Sequence, residues 1–127
     1  MRYVFVDTWG WCALVNRAQT EHQKVAVLFQ ELMDKAVILL TTNFVRDESY
    51  TLIRTRIHHK AAIEFHNLIA VLIRDQYVHL VQVTPEIEQD AWTIFERYDD
   101  KDFSYTDCTS FVVMQRFNIT QAITDDH

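Results

Sequence analysis

Short runs of β-branched and aromatic residues alternate along this chain with amphipathic segments, and that order leaves few folds open. "RYVFVD" at the start, "AVILLTT" in the middle and "YVHLVQV" further on have the composition of buried strands, and "QAITDD" at the end reads as a short last one. Between them, "EHQKVAVLFQELMDK" places Val25, Leu28, Phe29 and Leu32 on one helical face. A second helix is predicted from about Asn43, capped by Thr42 or Asn43. A third repeats the helical spacing through Ala61, Phe65, Leu68, Ile69 and Leu72. Thr84-Pro85-Glu86 supplies cap, N1 proline and first-turn acid for a helix whose apolar stripe is Ile87, Ala91, Ile94, Phe95 and Tyr98. The helix after Phe103 is expected to stop at Phe117, with Asn118 as the left-handed residue. Strands and helices in this order predict an α/β domain with a parallel sheet and helices on both faces. Sites in such domains gather at the carboxyl ends of the strands.

At 127 residues the chain is expected to form one domain spanning 1–127. Its single glycine, Gly10, rules out the glycine-rich dinucleotide and phosphate-binding loops, and no G-x-S-x-G elbow is present. A net charge of -6 argues against a protein that coats nucleic acid by charge alone, though not against one whose acids are neutralised by bound cations. Cys12 and Cys108 stand far apart in apolar surroundings, which reads as buried free thiols in a reducing cytoplasm. No signal-peptide layout and no membrane-length apolar run is present.

Acids from four separate segments stand where a site would form. Asp7 directly follows "YVFV", at a strand's carboxyl end, where N-cap and metal ligand are equally good readings. Glu48 falls between Phe44 and Leu52 on a predicted apolar stripe with Val45 and Ile53. There a charged carboxylate is costly unless paired, and snorkelling outward toward an arginine is the competing reading. Asp107 has the spacing of a capping box with Ser104, Phe103 and Cys108 making the hydrophobic staple. Asp125 and Asp126 follow the last strand; Asp102 precedes a helix; Asp99 and Asp100 read as solvated. Carboxylates drawn together repel unless a cation lies among them. An oxygen-only donor set, without a Cys/His pattern, suits Mg²⁺ or Mn²⁺.

"FVDTWGWCALV", "TTNFVRDESYTLI", "DKDFSYTDCTSFVVM" and "AITDD" together resemble the successive motifs of PIN-domain ribonucleases, especially the VapC-type toxins of toxin–antitoxin pairs. The resemblance runs from the first strand to the last residues. It implies a three-layer PIN-like domain with a central, mainly parallel sheet of four to five strands. It also implies that the acids at Asp7, Glu48, Asp107 and Asp126 are both catalytic and metal-binding, with Asp102 of second rank. Relatives usually continue past the last acid with an aromatic residue, whereas this chain stops at His127, so a shortened C-terminal end is expected.

The implied activity is Mg²⁺- or Mn²⁺-dependent hydrolysis of single-stranded or loop RNA in the cytoplasm, with no membrane involved. The ions would lower the pKa of a water and spread the charge on the departing oxygen. Implied partners are a second copy of the chain, as a homodimer, and a small antitoxin protein. Arg54 and Arg56 in the basic stretch "RTRIHHK", with Arg46 earlier on the same predicted helix, are the candidate RNA contacts; a helix end favoured by its dipole is the competing reading. The alternative function is a PIN-like scaffold that binds protein or RNA without cleaving. A phosphoacceptor or phosphatase domain is disfavoured because "VDTW" lacks a D-x-D after the first strand.

Overall fold

The computed structural model describes residues 1–125. The elements follow as β1 (Tyr3–Val6), α1 (Thr8–Val15), α2 (His22–Asp34), β2 (Ile38–Thr42), α3 (Asn43–Arg56), α4 (His59–Arg74), β3 (Val78–Val81), α5 (Pro85–Arg97), α6 (Tyr105–Arg116) and β4 (Ala122–Ile123). The four strands form one parallel sheet in the order β3-β2-β1-β4. In β1, Val4, Phe5 and Val6 are buried in succession, and so are Leu39, Leu40, Thr41 and Thr42 in β2. Successive strand side chains point to opposite faces, so unbroken burial means that both faces are covered. This is the α/β arrangement that the alternation of strand and helix predicts.

Strand order places the site. From β1 the chain moves outward to β2 and β3 on one side, and β4 joins β1 on the other. The order therefore reverses between β1 and β4, the kind of point where open α/β sheets leave a crevice beyond their carboxyl ends. The register Phe5↔Ala122 and Val6↔Ile123 brings Asp7 and Thr124 out at the same edge. Thr41, fully buried, holds that edge: its hydroxyl donates to the Val6 carbonyl at 3.0 Å and accepts the Trp11 indole N–H at 3.2 Å. Trp11 is itself buried between Phe29 and Phe65, at ring-centroid distances of 5.4 and 5.7 Å.

Local signals account for most helix ends. Thr42 caps α3 by accepting from the Val45 N–H, Thr84 caps α5 by accepting from the Ile87 N–H, and Pro85 opens α5. Ser104 and Asp107 form the reciprocal capping box of α6, and Asn118 takes the left-handed conformation at φ 54°. Three expectations change. The buried line of α3 is Val45, Ser49 and Ile53, whereas Phe44, Glu48 and Leu52 lie at its half-buried edge. Ser49 is tolerated inside because its hydroxyl donates to the Val45 carbonyl at 2.7 Å. On α5, Ile87 and Ala91 are buried, but Phe95 turns outward beside Trp92, and Tyr98, the C-cap, is exposed beside Phe103. The stretch "RTRIHHK" spans two helices, since His58 caps α4 by accepting the Ala61 N–H on Nδ1 at 3.0 Å. Cys12 and Cys108 are free thiols. Among the described residues no helix is long and apolar enough to cross a membrane.

Candidate active site

Asp7 leaves β1 in extended conformation and stands at the N-cap of α1, yet its carboxylate makes no capping bond. The main-chain carbonyl does the local work instead, accepting the N–H groups of Gly10 and Trp11. The side chain is thus released toward the crevice. Its Oδ2 accepts the Thr124 hydroxyl at 2.9 Å, and its Oδ1 is buried without a hydrogen bond. Burial pushes the Asp7 carboxyl above its ordinary value, the Thr8 amide and Thr124 hydroxyl oppose that shift, and the negative charge of Asp107 adds to it. A carboxylate desolvated on one oxygen and pressed by a second acid is poised to accept a cation.

Asp107 comes to the same place from the first turn of α6. Its Oδ2 accepts the Ser104 N–H at 3.0 Å, so the capping role and the place beside Asp7 belong to one side chain. Asp7 and Asp107 line a cleft of about 620 Å³ together with Lys101, Asp102, Phe103, Phe111, Thr124 and Asp125. Glu48 lines an adjoining cleft of about 390 Å³, and its Oε1 accepts the hydroxyl of buried Thr8 at 2.6 Å. It is therefore half-buried and held by a hydroxyl rather than turned outward to an arginine; Arg46 lies 4.0 Å from Asp47 instead. Asp125 lines both clefts. Asp126 lies outside the described residues. Among the described residues, no three acidic, histidine or cysteine side chains close on a single point. Like charges with hydroxyl and amide partners of their own have no reason to converge further by themselves.

Of the arginines singled out in the sequence, Arg56 lines the Glu48 cleft. Arg46 and Arg54 share a different line of α3, spaced four residues to either side of Tyr50, away from Glu48, Leu52 and Arg56. Thr124 and Lys101 escaped the sequence reading. Thr124 had a usable signal, since it follows β4 directly as Asp7 follows β1.

No protein-family model matches the chain. The 23S rRNA-specific endonuclease VapC20 of Mycobacterium tuberculosis, from two strains, is 32% identical over 123 residues, covering 97% of this chain and 88% of the relative. The chain belongs to the VapC family of PIN-domain ribonuclease toxins. Its fold agrees: the crystal structure of the same organism's VapC20, described as a sarcin-ricin loop cleaving toxin, superposes with a TM-score of 0.80 at 31% identity, covering 97% of this chain and 89% of that one. For a VapC-type chain the acids described here are chemically apt, because all offer oxygen and one offers a buried oxygen with no partner. That orphaned atom is the structural feature a divalent ion would satisfy.

Proposed function

We propose that this VapC-type chain is a Mg²⁺- or Mn²⁺-dependent endoribonuclease that cuts a phosphodiester bond in an RNA loop, with ribosomal RNA as the first substrate class to test. The observation that carries this reading is the buried, unpartnered Oδ1 of Asp7 beside Asp107 at the carboxyl edge of the sheet. Similarity along 97% of the chain to an endonuclease specific for 23S rRNA supports the choice of substrate. A ribosomal substrate also implies a cytoplasmic enzyme.

Asp7, Glu48 and Asp107 would hold the ion, with Asp126 as a fourth acid beyond the described residues. When bound, the ion would activate water and stabilise the charge that develops on the departing oxygen. The chain's own contribution is positional. Thr124 and Thr8 hold the carboxylates of Asp7 and Glu48 by their hydroxyls, and the Ser104 amide fixes Asp107. Lys101 in one cleft and Arg56 in the other supply positive charge for phosphates flanking the cut. Arg46 and Arg54 would act on RNA reaching further along α3.

A homodimer and a small antitoxin complete the proposal. Trp92, Phe95 and Tyr98, with Phe111 on α6, are large and exposed, and a protein partner would gain by covering them.

The test is incubation of the purified chain with whole ribosomes and with a hairpin bearing a ribosomal loop, with Mg²⁺, with Mn²⁺ or with EDTA. One dominant cut is expected with the ions and none in EDTA or with Asp107→Asn. Cutting that survives EDTA would remove the metal from the mechanism. A folded wild-type chain that cuts no RNA with either ion would favour the non-cleaving scaffold.

A further inference from the structure

The cleft on the far side of Glu48 has the composition of a base-reading pocket. It holds about 390 Å³, within the range of ordinary ligand pockets. The residues that line it include Trp9, Asn16, Gln19, Leu52 and Arg56. Each matches a part of a nucleotide: a flat apolar surface for the base, donors and acceptors for its edge, a cation for its phosphate. Nothing in phosphodiester hydrolysis itself needs the indole or the amides.

Local structure supports the match. Trp9 is half-buried, held against the core yet open to the cleft, whereas Trp11 two residues on is wholly consumed by packing. Asn16 ends α1, and its Oδ1 accepts the Ala18 N–H, which fixes the turn that presents Gln19. Gln19 donates from Nε2 to Glu21 at 3.3 Å, leaving its Oε1 to accept from a ligand. Arg56 stands near enough to bear electrostatically on Cys12, on the inner wall. Two carboxylates, Glu48 and Asp125, and one arginine line this cleft, a smaller acidic excess than on the other side. The cleft around Asp7 and Asp107 carries four carboxylates and one lysine, so RNA gains little there from charge. Stacking does not depend on charge, and sequence-specific RNA recognition works by splaying bases onto aromatic side chains and reading their edges.

We propose that Trp9, Asn16, Gln19 and Arg56 form a nucleobase subsite that selects where this enzyme cuts. A base swung out of an RNA loop stacks on Trp9, is read on its edge by Gln19 and Asn16, and has its phosphate held by Arg56. The phosphate on one side of that base then falls toward Glu48 and the other acids. This rests on the ribonuclease reading and adds to it the origin of specificity.

Two measurements test it. In the first, hairpins carrying each of the four bases, or an abasic residue, at the loop positions flanking the cut are compared by kcat/KM. Trp9→Leu is expected to lower kcat/KM roughly ten- to a hundred-fold, mainly through KM, with Trp9→Phe recovering most of the loss. On the substrate abasic at the selected position, Trp9→Leu and wild type should be equal. Gln19→Leu should flatten the preference among bases at that one position. In the second, hairpins with 2-aminopurine at each loop position are titrated with protein in EDTA. One position should be quenched by wild type, and not by Trp9→Leu. An unchanged base preference in Gln19→Leu, or equal losses for Trp9→Leu on intact and abasic substrates, would overturn the subsite. So would absence of position-specific quenching by wild type, or variants that lose only a protein partner. Failure of wild type to cut any RNA would instead strike the ribonuclease reading, and quenching would still decide the pocket.

Discussion

Asp7 costs the fold something that its place at a helix start conceals. Its carboxyl is held above the ordinary value, first by burial. A raised folded value stabilises the native state at pH below the unfolded value, and that contribution is lost as pH rises through the folded value. At neutral pH the charged side chain is therefore a liability, and Asp7→Asn should raise the melting temperature by a few degrees while abolishing cleavage. The gain should shrink as the pH is lowered toward 4; thermal melts across that range check it. Thr8 tests positioning. Thr8→Val removes the hydroxyl held by Glu48 and should lower activity roughly 10- to 100-fold with the fold intact, the usual cost of losing a group that orients a ligand. Metal affinity measured by calorimetry should fall with it. The sequence singled out Asp7 and Glu48 from their places beside apolar runs. It left cap and ligand equal for Asp7, because only coordinates show that the carbonyl, not the carboxylate, binds the helix amides.

Helix α1 owes its position to the chain's single glycine. A Cβ on Gly10 would lie 2.9 Å from the Ile123 carbonyl oxygen and 3.0 Å from both Ile123 Cγ2 and Val6 Cγ1. In an open helix, glycine to alanine stabilises by roughly 0.5–1 kcal/mol. Here the neighbour is backbone, so β4 must shift, and Thr124 shifts with it. Gly10→Ala should instead destabilise by about 1–3 kcal/mol and weaken cleavage, as denaturant unfolding and RNA assays would show. At α6 one residue serves two purposes that substitution separates. Asp107→Ala removes half of the capping box and should cost about 1 kcal/mol. Asp107→Asn keeps an oxygen acceptor for the Ser104 amide and should cost less, yet both should be inactive. Caps and stops were legible because Thr42, Thr84, Ser104 and Asn118 act on neighbours three or four residues away. The faces of α3 and α5 were less so. Phe44, Leu52, Phe95 and Tyr98 fit an apolar stripe by spacing, but which line is covered depends on the packing of α3 against α1 and α4 and of α5 against α6.

For the molecule as a whole, an acidic surface and an exposed aromatic ridge stand together. With a net charge of -6, affinity for RNA has to come from local features rather than the average field. Trp92 is 53% exposed, Phe95 41% and Tyr98 42%, a cluster too apolar to be left bare at no cost. If that ridge joins two copies of the chain, Trp92→Glu with Phe95→Glu should yield a monomer by sedimentation, with the fold unchanged by circular dichroism. A dimer that survives both charges would place the contact elsewhere.

Composition and order along the chain were enough for the α/β class, for most helix caps and for singling out Asp7, Glu48 and Asp107, because strand and helix periodicity and capping are short-range effects; the break between α3 and α4 was not legible. The resemblance of four successive motifs added the family. Tertiary structure alone decided that strand order reverses between β1 and β4, that Thr124 grips Asp7 across 117 residues of sequence, and that Arg56 rather than Arg46 or Arg54 reaches the cleft. These depend on which surfaces are buried against which, and no local rule encodes that: the free energy of burial belongs to the assembled sheet and its helices, not to any one segment.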